Sequence, residues 1–349
     1  MLQKEYKKIK ALVMFSGGLD SSLAIRILQE QDIEVEAFHY TGAFHTDQFD
    51  EYNSSAKRFA DNFGVKLSTF KIGDDFVDVL RNPRYGYGSN MNPCIDCRIY
   101  TLKKAKAYME KIDAAFIATG EVLGQRPMSQ RKDTLKLVGK HSGLDRLLLR
   151  PLSAKLLEPT IPEEKGWVDR EGLFDISGRS RKAQIALAEK YGIKDYPNPA
   201  GGCLLTDPQF SARVRDLVKH DSLTMDEIEF LKVGRHFRLS KDTKVIVGRN
   251  EDDNAQILQL VKKNNIILRL KDMPGPVTIL RGRPTEKEIE LAGAITARYS
   301  KARTHNLVRI SFFTVDAEKR KDFLFKDKRD EGIFSVPPVH DEDIIKYMI

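Results

Sequence analysis

The sequence predicts an α/β fold with a doubly wound parallel sheet, followed by a smaller α+β module. Two observations support this prediction. Between residues 11 and 119, short apolar runs alternate with amphipathic stretches, which is typical of parallel β-α-β units. After residue 220, short strand-like segments surround two helical ones instead, as in an α+β domain. With 349 residues the chain can hold more than one core, and we predict domains at 1–220 and 221–349.

The first strand is predicted at residues 11–15, where an apolar, β-rich run meets a glycine pair and then an amphipathic stretch at 21–31. That order indicates a strand, a loop and a helix. The same criteria predict the other elements of the first domain: strands at 35–40, 66–71 and 115–119, and helices at 52–63 and 98–112.

Three segments without periodicity are predicted as long loops, which in compact domains are often functional. They are 81–96, 121–143 and 196–208. In the second domain we predict strands at 244–247, 266–271, 277–280 and 308–315, and helices at 252–263 and 285–303.

Positive charge is concentrated in two stretches of a chain whose net charge is +8. Residues 81–150 contain 14 Lys and Arg against 6 Asp and Glu, and residues 298–329 contain 10 against 4. Basic segments on an otherwise slightly acidic chain indicate a polyanionic partner, most often a nucleic acid. The alternative is that they are only the solvated faces of helices.

Composition limits the compartment and the role of the cysteines. No apolar run approaches the roughly 18 residues that cross a bilayer, and the first ten residues lack the apolar centre of a signal peptide. We therefore expect a cytoplasmic protein with no membrane partner. Three cysteines are too few for a disulfide scaffold. Cys94 and Cys97 as C-x-x-C, with Cys203 far downstream, indicate thiol chemistry or metal binding.

Residues 16–22, SGGLDSS, form a predicted anion-binding loop between a strand and a helix. Two glycines let the backbone approach an anion, and free N–H groups of the loop and helix N-terminus face it. Asp20 suits Mg²⁺ bound to phosphates. The alternative is a glycine turn that only caps the helix. The predicted ATP-binding residues of this loop are Ser16, Gly17, Gly18, Asp20, Ser21 and Ser22.

This loop resembles the S-G-G-x-D-S fingerprint of the PP-loop ATP pyrophosphatase superfamily, whose fold is Rossmann-like. There is no G-x-x-x-x-G-K-[ST] segment, so the Walker-type loop is excluded. The resemblance implies that ATP is cleaved between its α- and β-phosphates, that a carbonyl oxygen is activated as an adenylate, and that Asp20 is catalytic.

The cysteine segments NPCIDC at 92–97 and GGC at 201–203 resemble bacterial tRNA 2-thiouridylases, in which an N-P-x-x-x-C loop pairs with a distant cysteine. The resemblance implies that Cys97 and Cys203 are catalytic, one carrying a persulfide and the other resolving it through a disulfide. Many relatives have aspartate at the position of Cys94. Variants with cysteine there resemble enzymes that hold a [4Fe-4S] cluster on three thiolates, which makes Cys94, Cys97 and Cys203 candidate iron ligands.

Two alternatives to the cluster stay open: a cluster-free persulfide relay, and a C-x-x-C that is only structural. A zinc site is disfavoured, because no fourth Cys or His stands close in sequence to either cysteine segment.

The segment TGEVLGQ at 119–125, with Ser129 and Gln130, resembles the T-G-E-x-x-G-Q-x-x-S-Q segment of tRNA 4-thiouridine synthetase, with one extra residue before Ser129. The resemblance implies that Gly120 and Gln125 contact ATP, while Glu121 and Gln130 line the ATP or uridine site. The alternative is a polar surface loop. Because the chain resembles two thiolating families in part, the modified base is not predicted.

The second domain carries VGR at 233–235, VGRN at 247–250, DMPGP at 272–276 and YSKAR at 299–303, which resemble the RNA-binding module of NFACT-type proteins. Asn250 and Asn254 have the alternative role of helix caps, and the whole module that of a scaffold. The cations predicted to meet RNA phosphates are Arg235, Arg249, Arg281 and Lys301, together with Lys319, Arg320 and Lys321 of the second basic stretch.

Together these features predict ATP-dependent thiolation of RNA, with tRNA the expected substrate. ATP and Mg²⁺ adenylate a uridine carbonyl, and sulfur from Cys203 or a cluster iron replaces the oxygen; the sulfur donor is not predicted. Two other functions remain open. One is a PP-loop sulfurtransferase or ligase acting on a small molecule, which leaves the basic stretches unexplained. The other is a translation-associated RNA-binding protein whose loop only senses nucleotide.

Overall fold

A computed structural model describes residues 8–42, 44, 49–196, 203–315 and 332–349, with the backbone alone at 49–55. The chain divides into two compact units, Met1–Thr206 and Asp207–Ile349. The division lies before the boundary predicted after residue 220, because the helix Pro208–Lys219 makes its ion pairs with strands of the second unit, from Asp216 to Arg238 and Lys244.

In the first unit, the described strands form a five-stranded parallel sheet in the order β3-β2-β1-β4-β5. The strands are β1 (Lys10–Phe15), β2 (Glu34–Thr41), β3 (Lys66–Lys71), β4 (Phe116–Thr119) and β5 (Leu148–Leu149). The predicted doubly wound sheet is therefore confirmed.

Helices cover both faces of this sheet. They are α1 (Leu19–Gln29), α2 (Phe49–Asn62), α3 (Phe76–Arg81), α4 (Cys94–Lys111), α5 (Lys132–His141), α6 (Ile161–Glu164) and α7 (Lys182–Lys190). Alternate residues of β1 enter different cores: Val13 and Phe15 pack in the core that contains α1, and Leu12 and Met14 in the core that contains α4. A strand buried on both faces explains its continuous apolar run.

Two predicted loops are shorter than expected. The segment 121–143 contains α5, whose Leu135 and Val138 are buried, so the loop prediction was wrong for its second half. The loop predicted at 81–96 is also shorter, because the helix predicted to begin at residue 98 begins at Cys94. Its first turn thus includes Cys94 and Cys97.

The strand order creates a switch point beside β1. The chain runs outward from β1 through β2 to β3, and then returns to place β4 on the other side of β1. In such sheets a crevice opens outside the carboxyl ends of the two strands where the order reverses. The loop after β1 and the loop after β4 therefore meet at one edge.

The second unit is an α+β module, as predicted. Its described strands form a six-stranded antiparallel sheet in the order β11-β10-β8-β9-β7-β6. The strands are β6 (Arg235–Arg238), β7 (Thr243–Val247), β8 (Ile266–Leu270), β9 (Thr278–Gly282), β10 (Val308–Thr314) and β11 (Gly332–Val336). The helices are α8 (Pro208–Lys219), α9 (Met225–Phe230), α10 (Glu251–Leu260), α11 (Glu286–Arg298) and α12 (Asp341–Ile344). Within the described ranges, no helix is both long and apolar enough to cross a membrane.

Candidate active site

The loop after β1 is held by its own serines. The Ser21 hydroxyl donates to the Gly18 carbonyl over 2.8 Å and accepts from the Ser16 backbone N–H over 3.2 Å. The Ser22 hydroxyl also donates to the Gly18 carbonyl, at 3.2 Å. Gly17 has a φ of +81°, which favours glycine. The predicted loop is thus a pre-formed turn at the N-terminus of α1, where N–H groups attract anions.

Asp20, in the first turn of α1, has one satisfied and one unsatisfied oxygen. Its Oδ2 accepts from Gln125 Nε2 at 3.0 Å, while Oδ1 is buried and has no hydrogen-bond partner among the residues that the structure describes. Burial raises the pKa of this carboxyl, and Gln125, Arg181, Gln184 and Arg126 oppose the rise. An orphaned carboxylate oxygen beside an anion-binding turn fits a bound cation such as Mg²⁺.

Gly120 fixes how closely β4 and α1 approach. A Cβ at this position would lie 2.4 Å from the carbonyl carbon of Asp20 and 2.5 Å from the Ser21 nitrogen, distances that no side chain tolerates. Only glycine lets the loop after β4 pack against this peptide. The close approach at Gly120 in the structure is therefore to the backbone at the start of α1, directly after the loop that follows β1.

Three hydrogen bonds bring the two cysteine segments together. The Met91 N–H donates to the Leu205 carbonyl at 3.1 Å, and the Asn90 amide donates to the Thr206 carbonyl at 2.8 Å. The Leu204 N–H donates to the Phe44 carbonyl at 2.8 Å, in the segment that follows β2. The cysteines of α4 and Cys203 thus converge near the carboxyl end of β2, although more than a hundred residues separate them in sequence.

Asp96 orients the first turn of α4. Its two carboxylate oxygens accept from the backbone N–H groups of Arg84 and Tyr85, each at 3.0 Å. The residue between the two cysteines of the C-x-x-C thus ties the helix to the loop that precedes it.

The three half-buried thiols influence one another. Burial raises the pKa of Cys203 to about 12, and Cys97 and Cys94 add to the rise. Burial also raises the pKa values of Cys94 and Cys97, while the cation of Arg98 opposes both increases. All three groups are therefore thiols near neutral pH. Tyr40, at the end of β2, places its hydroxyl oxygen 3.7 Å from Cys97 Sγ.

Proximity of the thiols does not by itself make a metal site. Among the residues that the structure describes, no three His, Cys, Asp or Glu side chains are arranged to hold a metal ion. The assignment of Cys94, Cys97 and Cys203 as iron ligands therefore stays a prediction, and so does the alternative of a persulfide relay between cysteine thiols.

Glu121 is the electrostatic centre of the loop after β4. Its side chain is 3% exposed and forms ion pairs with Arg98 at 3.1 Å and Arg150 at 3.0 Å; Thr119 donates a further hydrogen bond at 3.1 Å. Burial pushes its pKa up, but the two arginines outweigh that effect and hold it below the ordinary value. Sequence reasoning placed Glu121 in the lining of the ATP or uridine site; in the structure it positions Arg98, the residue after Cys97.

Several residues of the site carry no motif and were missed from the sequence. They are Tyr40, Arg98, Arg126, Arg150, Arg181 and Gln184. Two of them could have been found from their positions in the sequence. Tyr40 lies near the end of a predicted strand, and Arg126 lies inside the segment that resembles a thiolating enzyme.

In the second unit, the predicted RNA-binding arginines have partners within the module. Arg249 donates to the buried Asp253 from Nε at 2.5 Å and from its terminal nitrogen at 3.0 Å. The Arg235 guanidinium lies 4.6 Å from the centre of the Tyr299 ring. Lys301 is exposed. Lys319, Arg320 and Lys321 lie outside the described residues.

Arg281 was expected to reach phosphates, and this was wrong. Its side chain is 11% exposed, pairs with Glu227 and lies 3.7 Å from the centre of the Phe230 ring. Asn250 caps α10 by accepting from the Asp253 N–H at 2.8 Å. Asn254 accepts from the Val277 N–H at 2.9 Å and so links α10 to the segment before β9. The alternative role of helix cap is therefore confirmed for Asn250, whereas Asn254 lies inside α10 and does not cap it.

Each of the two units contains a match to a protein family. Residues 9–145 match the family described as the tRNA methyl transferase HUP domain. Residues 234–348 match the NFACT protein RNA binding domain. The chain thus combines a segment similar to a domain of tRNA-modifying proteins with an NFACT-like segment, and the resemblances to tRNA-modifying and NFACT-type proteins drawn from the sequence are confirmed.

The curated relatives of this chain carry a more specific name than the two family models. The chain is 24% identical over 304 residues to the tRNA-specific 2-thiouridylase MnmA of Pseudomonas fluorescens, covering 83% of this chain and 76% of the relative. With the MnmA of Aeromonas hydrophila it shares 31% over 142 residues, which is 37% of this chain and 38% of that relative. Against further MnmA proteins from Pseudomonas and Stutzerimonas the chain spans 63–64% of the relative's length.

Among solved structures, this chain is similar to a 4-thiouridine synthetase in complex with RNA and ATP. The TM-score between the two is 0.35 and the sequence identity is 19%, over 63% of this chain and 53% of that chain.

Proposed function

We propose that this protein is an ATP-dependent enzyme that thiolates a uridine in tRNA through an adenylated intermediate. One observation carries the proposal: a pre-formed anion-binding loop after β1 and a group of cysteines near the end of β2 belong to the same edge of one parallel sheet. Ligands of such sheets bind at this edge. A site with both parts can activate a carbonyl oxygen and then deliver sulfur to the same carbon.

In the first half-reaction the uridine carbonyl oxygen attacks the α-phosphate of ATP, and pyrophosphate leaves. The turn made by Ser16, Gly18 and Ser21, together with the N-terminus of α1, binds the departing phosphates. Asp20 would hold Mg²⁺ through its unsatisfied Oδ1, and the ion would supply charge neutralisation for the phosphates. Gln125 orients this carboxylate through the hydrogen bond to Oδ2.

In the second half-reaction sulfur replaces the activated oxygen. The terminal sulfur of a Cys203 persulfide attacks the adenylated carbon, a C–S bond forms, and AMP leaves with the C–O electron pair. The Cys97 thiolate then attacks the Cys203 sulfur, which releases the thiocarbonyl and leaves a Cys97–Cys203 disulfide. A dithiol reductant restores the two thiols. A [4Fe-4S] cluster on the three cysteines remains the competing sulfur source, to be distinguished by iron content.

RNA as the substrate class is supported from two sides. The first basic stretch, 81–150, includes the loop before α4 and the loop after β4, so cations of these loops flank the site. The second unit matches an RNA binding domain, and the relatives named above act on tRNA. A base must leave its stack to reach such an edge. A small-molecule substrate would leave both features without a role.

The test is nucleoside mass spectrometry of total tRNA from a strain lacking the gene. Loss of one thiouridine, restored by the wild-type gene but not by Asp20→Asn or Cys203→Ser, is the expected result. Glu158→Gln, which changes only an exposed ion pair with Lys136, is the matched control and should restore it. An unchanged nucleoside profile in the deletion strain would remove the proposal and favour a small-molecule substrate or a nucleotide-sensing protein.

A further inference from the structure

The loop after β4 connects the two halves of the candidate site. On one side, Gln125 donates to Asp20 of the ATP loop at 3.0 Å. On the other side, Met128 packs on the loop that leads to Cys94: a Cβ built at Gly88 would lie 2.7 Å from Met128 Sδ. Arg126 lies between these two contacts in sequence. Its backbone is therefore held between the ATP loop and the cysteine loop.

The backbone around Arg126 is fixed by a closed turn. The Gln130 N–H donates to the Arg126 carbonyl at 3.1 Å, and the Gly124 N–H donates to the Gln130 carbonyl at 2.8 Å. Gly124 has a φ of +75°, which the turn requires. A side chain carried by such a turn is placed in advance, so little entropy is lost when it binds a ligand.

The Arg126 side chain is an available cation of this site. It is exposed, and no hydrogen bond or ion pair with another described side chain holds it. Arg98 and Arg150, by contrast, are both paired with the buried Glu121. Burial raises the pKa values of Asp20, Cys94 and Cys203, and the Arg126 charge opposes the rise at all three groups. The charge therefore acts on both halves of the site.

We propose that Arg126 is a catalytic residue that binds the phosphate of the adenylated uridine and stabilises AMP as it leaves. This inference rests on the proposed function and assigns a residue to its second step. The adenylate phosphate must lie between the ATP loop, where it formed, and the cysteines, where the carbon is attacked. An arginine fork matches the two free oxygens of such a phosphate.

The step also balances when inorganic sulfide takes the place of the Cys203 persulfide as the nucleophile, as it does in the experiment below. The sulfide electron pair forms the C–S bond, the C–O bond to the phosphate breaks, and its electron pair leaves on the AMP oxygen. The sulfide proton moves to the ring nitrogen, which gives a thiocarbonyl and AMP as a dianion. Negative charge grows on the phosphate during this step, and a guanidinium in contact with it then binds more strongly than in the ground state.

The experiment compares both half-reactions in the full chain. Wild type, Arg126→Ala, Arg126→Lys and the control Arg131→Ala, an exposed arginine five residues along the same loop, are given total tRNA from the deletion strain. ATP labelled at the α-phosphate and sodium sulfide are added. ATP–pyrophosphate exchange and label attached to tRNA report adenylation, and nucleoside mass spectrometry reports thiolation.

For Arg126→Ala we expect thiolation to fall on the order of 10²-fold, at least tenfold more than exchange, while labelled adenylated tRNA accumulates. Arg126→Lys should recover part of the rate, and Arg131→Ala should behave as wild type. An equal fall in exchange and thiolation would overturn the inference, because Arg126 would then act on ATP alone; so would unchanged thiolation. Absence of tRNA-dependent adenylation by the wild-type protein would instead refute the proposed function.

Discussion

The two units use their motif residues in different ways. In the first unit, Asp20 keeps an unsatisfied carboxylate oxygen and the cysteines of distant segments lie together. In the second unit, the motif arginines pair inside the module: Arg249 with Asp253, and Arg281 with Glu227. A polar group without a partner at a sheet edge indicates a catalytic or binding role, whereas an ion pair within the module indicates a structural role. A charged motif residue therefore has to be assigned by its partners as well as by its pattern.

The second unit has a physical reason to use its arginines internally. The side chains of Asp216 and Asp253 are only 9% and 7% exposed, and a buried carboxylate without a cation is strongly destabilising. Arg238 and Lys244 pair with Asp216. Burial lowers the pKa of Lys244 to about 8 even with this partner. Of the cations predicted to meet RNA, Arg249 likewise balances an acid of the module, Asp253.

The largest effect is expected for Asp20→Asn, which tests whether the Asp20 carboxylate takes part in the reaction. ATP–pyrophosphate exchange should be abolished, because the amide cannot hold Mg²⁺. The pKa of Asp20 is raised in the folded protein, so the ionised carboxylate reduces stability as pH rises through that pKa. At pH 7 the variant should therefore be as stable as wild type, or about 1 kcal/mol more stable.

Denaturant unfolding at pH 7 and the exchange assay together measure both quantities. Normal exchange by Asp20→Asn would contradict the assignment of the ATP loop. A large loss of stability would show that Asp20 is a packing residue, like the acids of the second unit.

The sequence predicted the sheet and the turn after β1 well because both depend on local patterns. The alternation of apolar and amphipathic stretches places β1, β2 and β3 within a residue or so of their observed bounds. The glycine and serine pattern at 16–22 predicts a turn whose bonds are all local. Cys94, Cys97 and Cys203 were grouped only through a family resemblance.

The rest of the site depends on contacts that no local pattern records. Tyr40 meets Cys97 across 57 residues of sequence, and Gln125 meets Asp20 across 105. Helix α5 was missed because Leu135, Leu137 and Val138 are only three apolar side chains in a polar segment, and the burial of Leu135 and Val138 depends on the tertiary fold. Arg281 was misjudged because an arginine with a buried partner has the same sequence signature as a free one.

Glu121→Ala is expected to have the next largest effect, on stability. Removing this carboxylate leaves Arg98 and Arg150 without their shared partner, which should lower the free energy of unfolding by about 3–5 kcal/mol. Because the folded pKa of Glu121 is lowered, its contribution is present above the ordinary glutamate pKa and is lost as pH falls through the folded value. The difference between wild type and variant should therefore shrink in acid.

Chemical denaturation at pH 7 and at successively lower pH measures this difference. Glu158→Ala, at an exposed ion pair, is the control and should change stability by less than about 1 kcal/mol. A similar small change for Glu121→Ala would mean that the first unit does not depend on a buried ion pair as the second unit does.

A smaller effect distinguishes the cations of the second unit. Lys301 is exposed, so Lys301→Ala should lower the slope of log affinity for total tRNA against log salt by about 1. Arg249→Ala should leave that slope unchanged and instead lower stability by about 1–3 kcal/mol, because Asp253 loses its charged donor but keeps the backbone N–H donors of Gly234 and residue 249. Filter binding over a salt series measures the slope. A lower slope for Arg249→Ala would break the distinction between the two units.

The smallest effect is expected for Cys94→Asp, and it tests how the first unit uses its thiols. If sulfur passes from a Cys203 persulfide and Cys97 resolves it, Cys94 takes no part in bond formation, and the aspartate of many relatives should keep thiolation within a few-fold of wild type. Protein purified without oxygen should then be colourless and active. If the three thiols instead hold a cluster, wild-type protein should be brown and Cys94→Asp should lose iron and thiolation together. Iron content and tRNA thiolation measured on the same preparations decide between these routes: an active, iron-free variant excludes the cluster, and coupled loss of both properties excludes the relay.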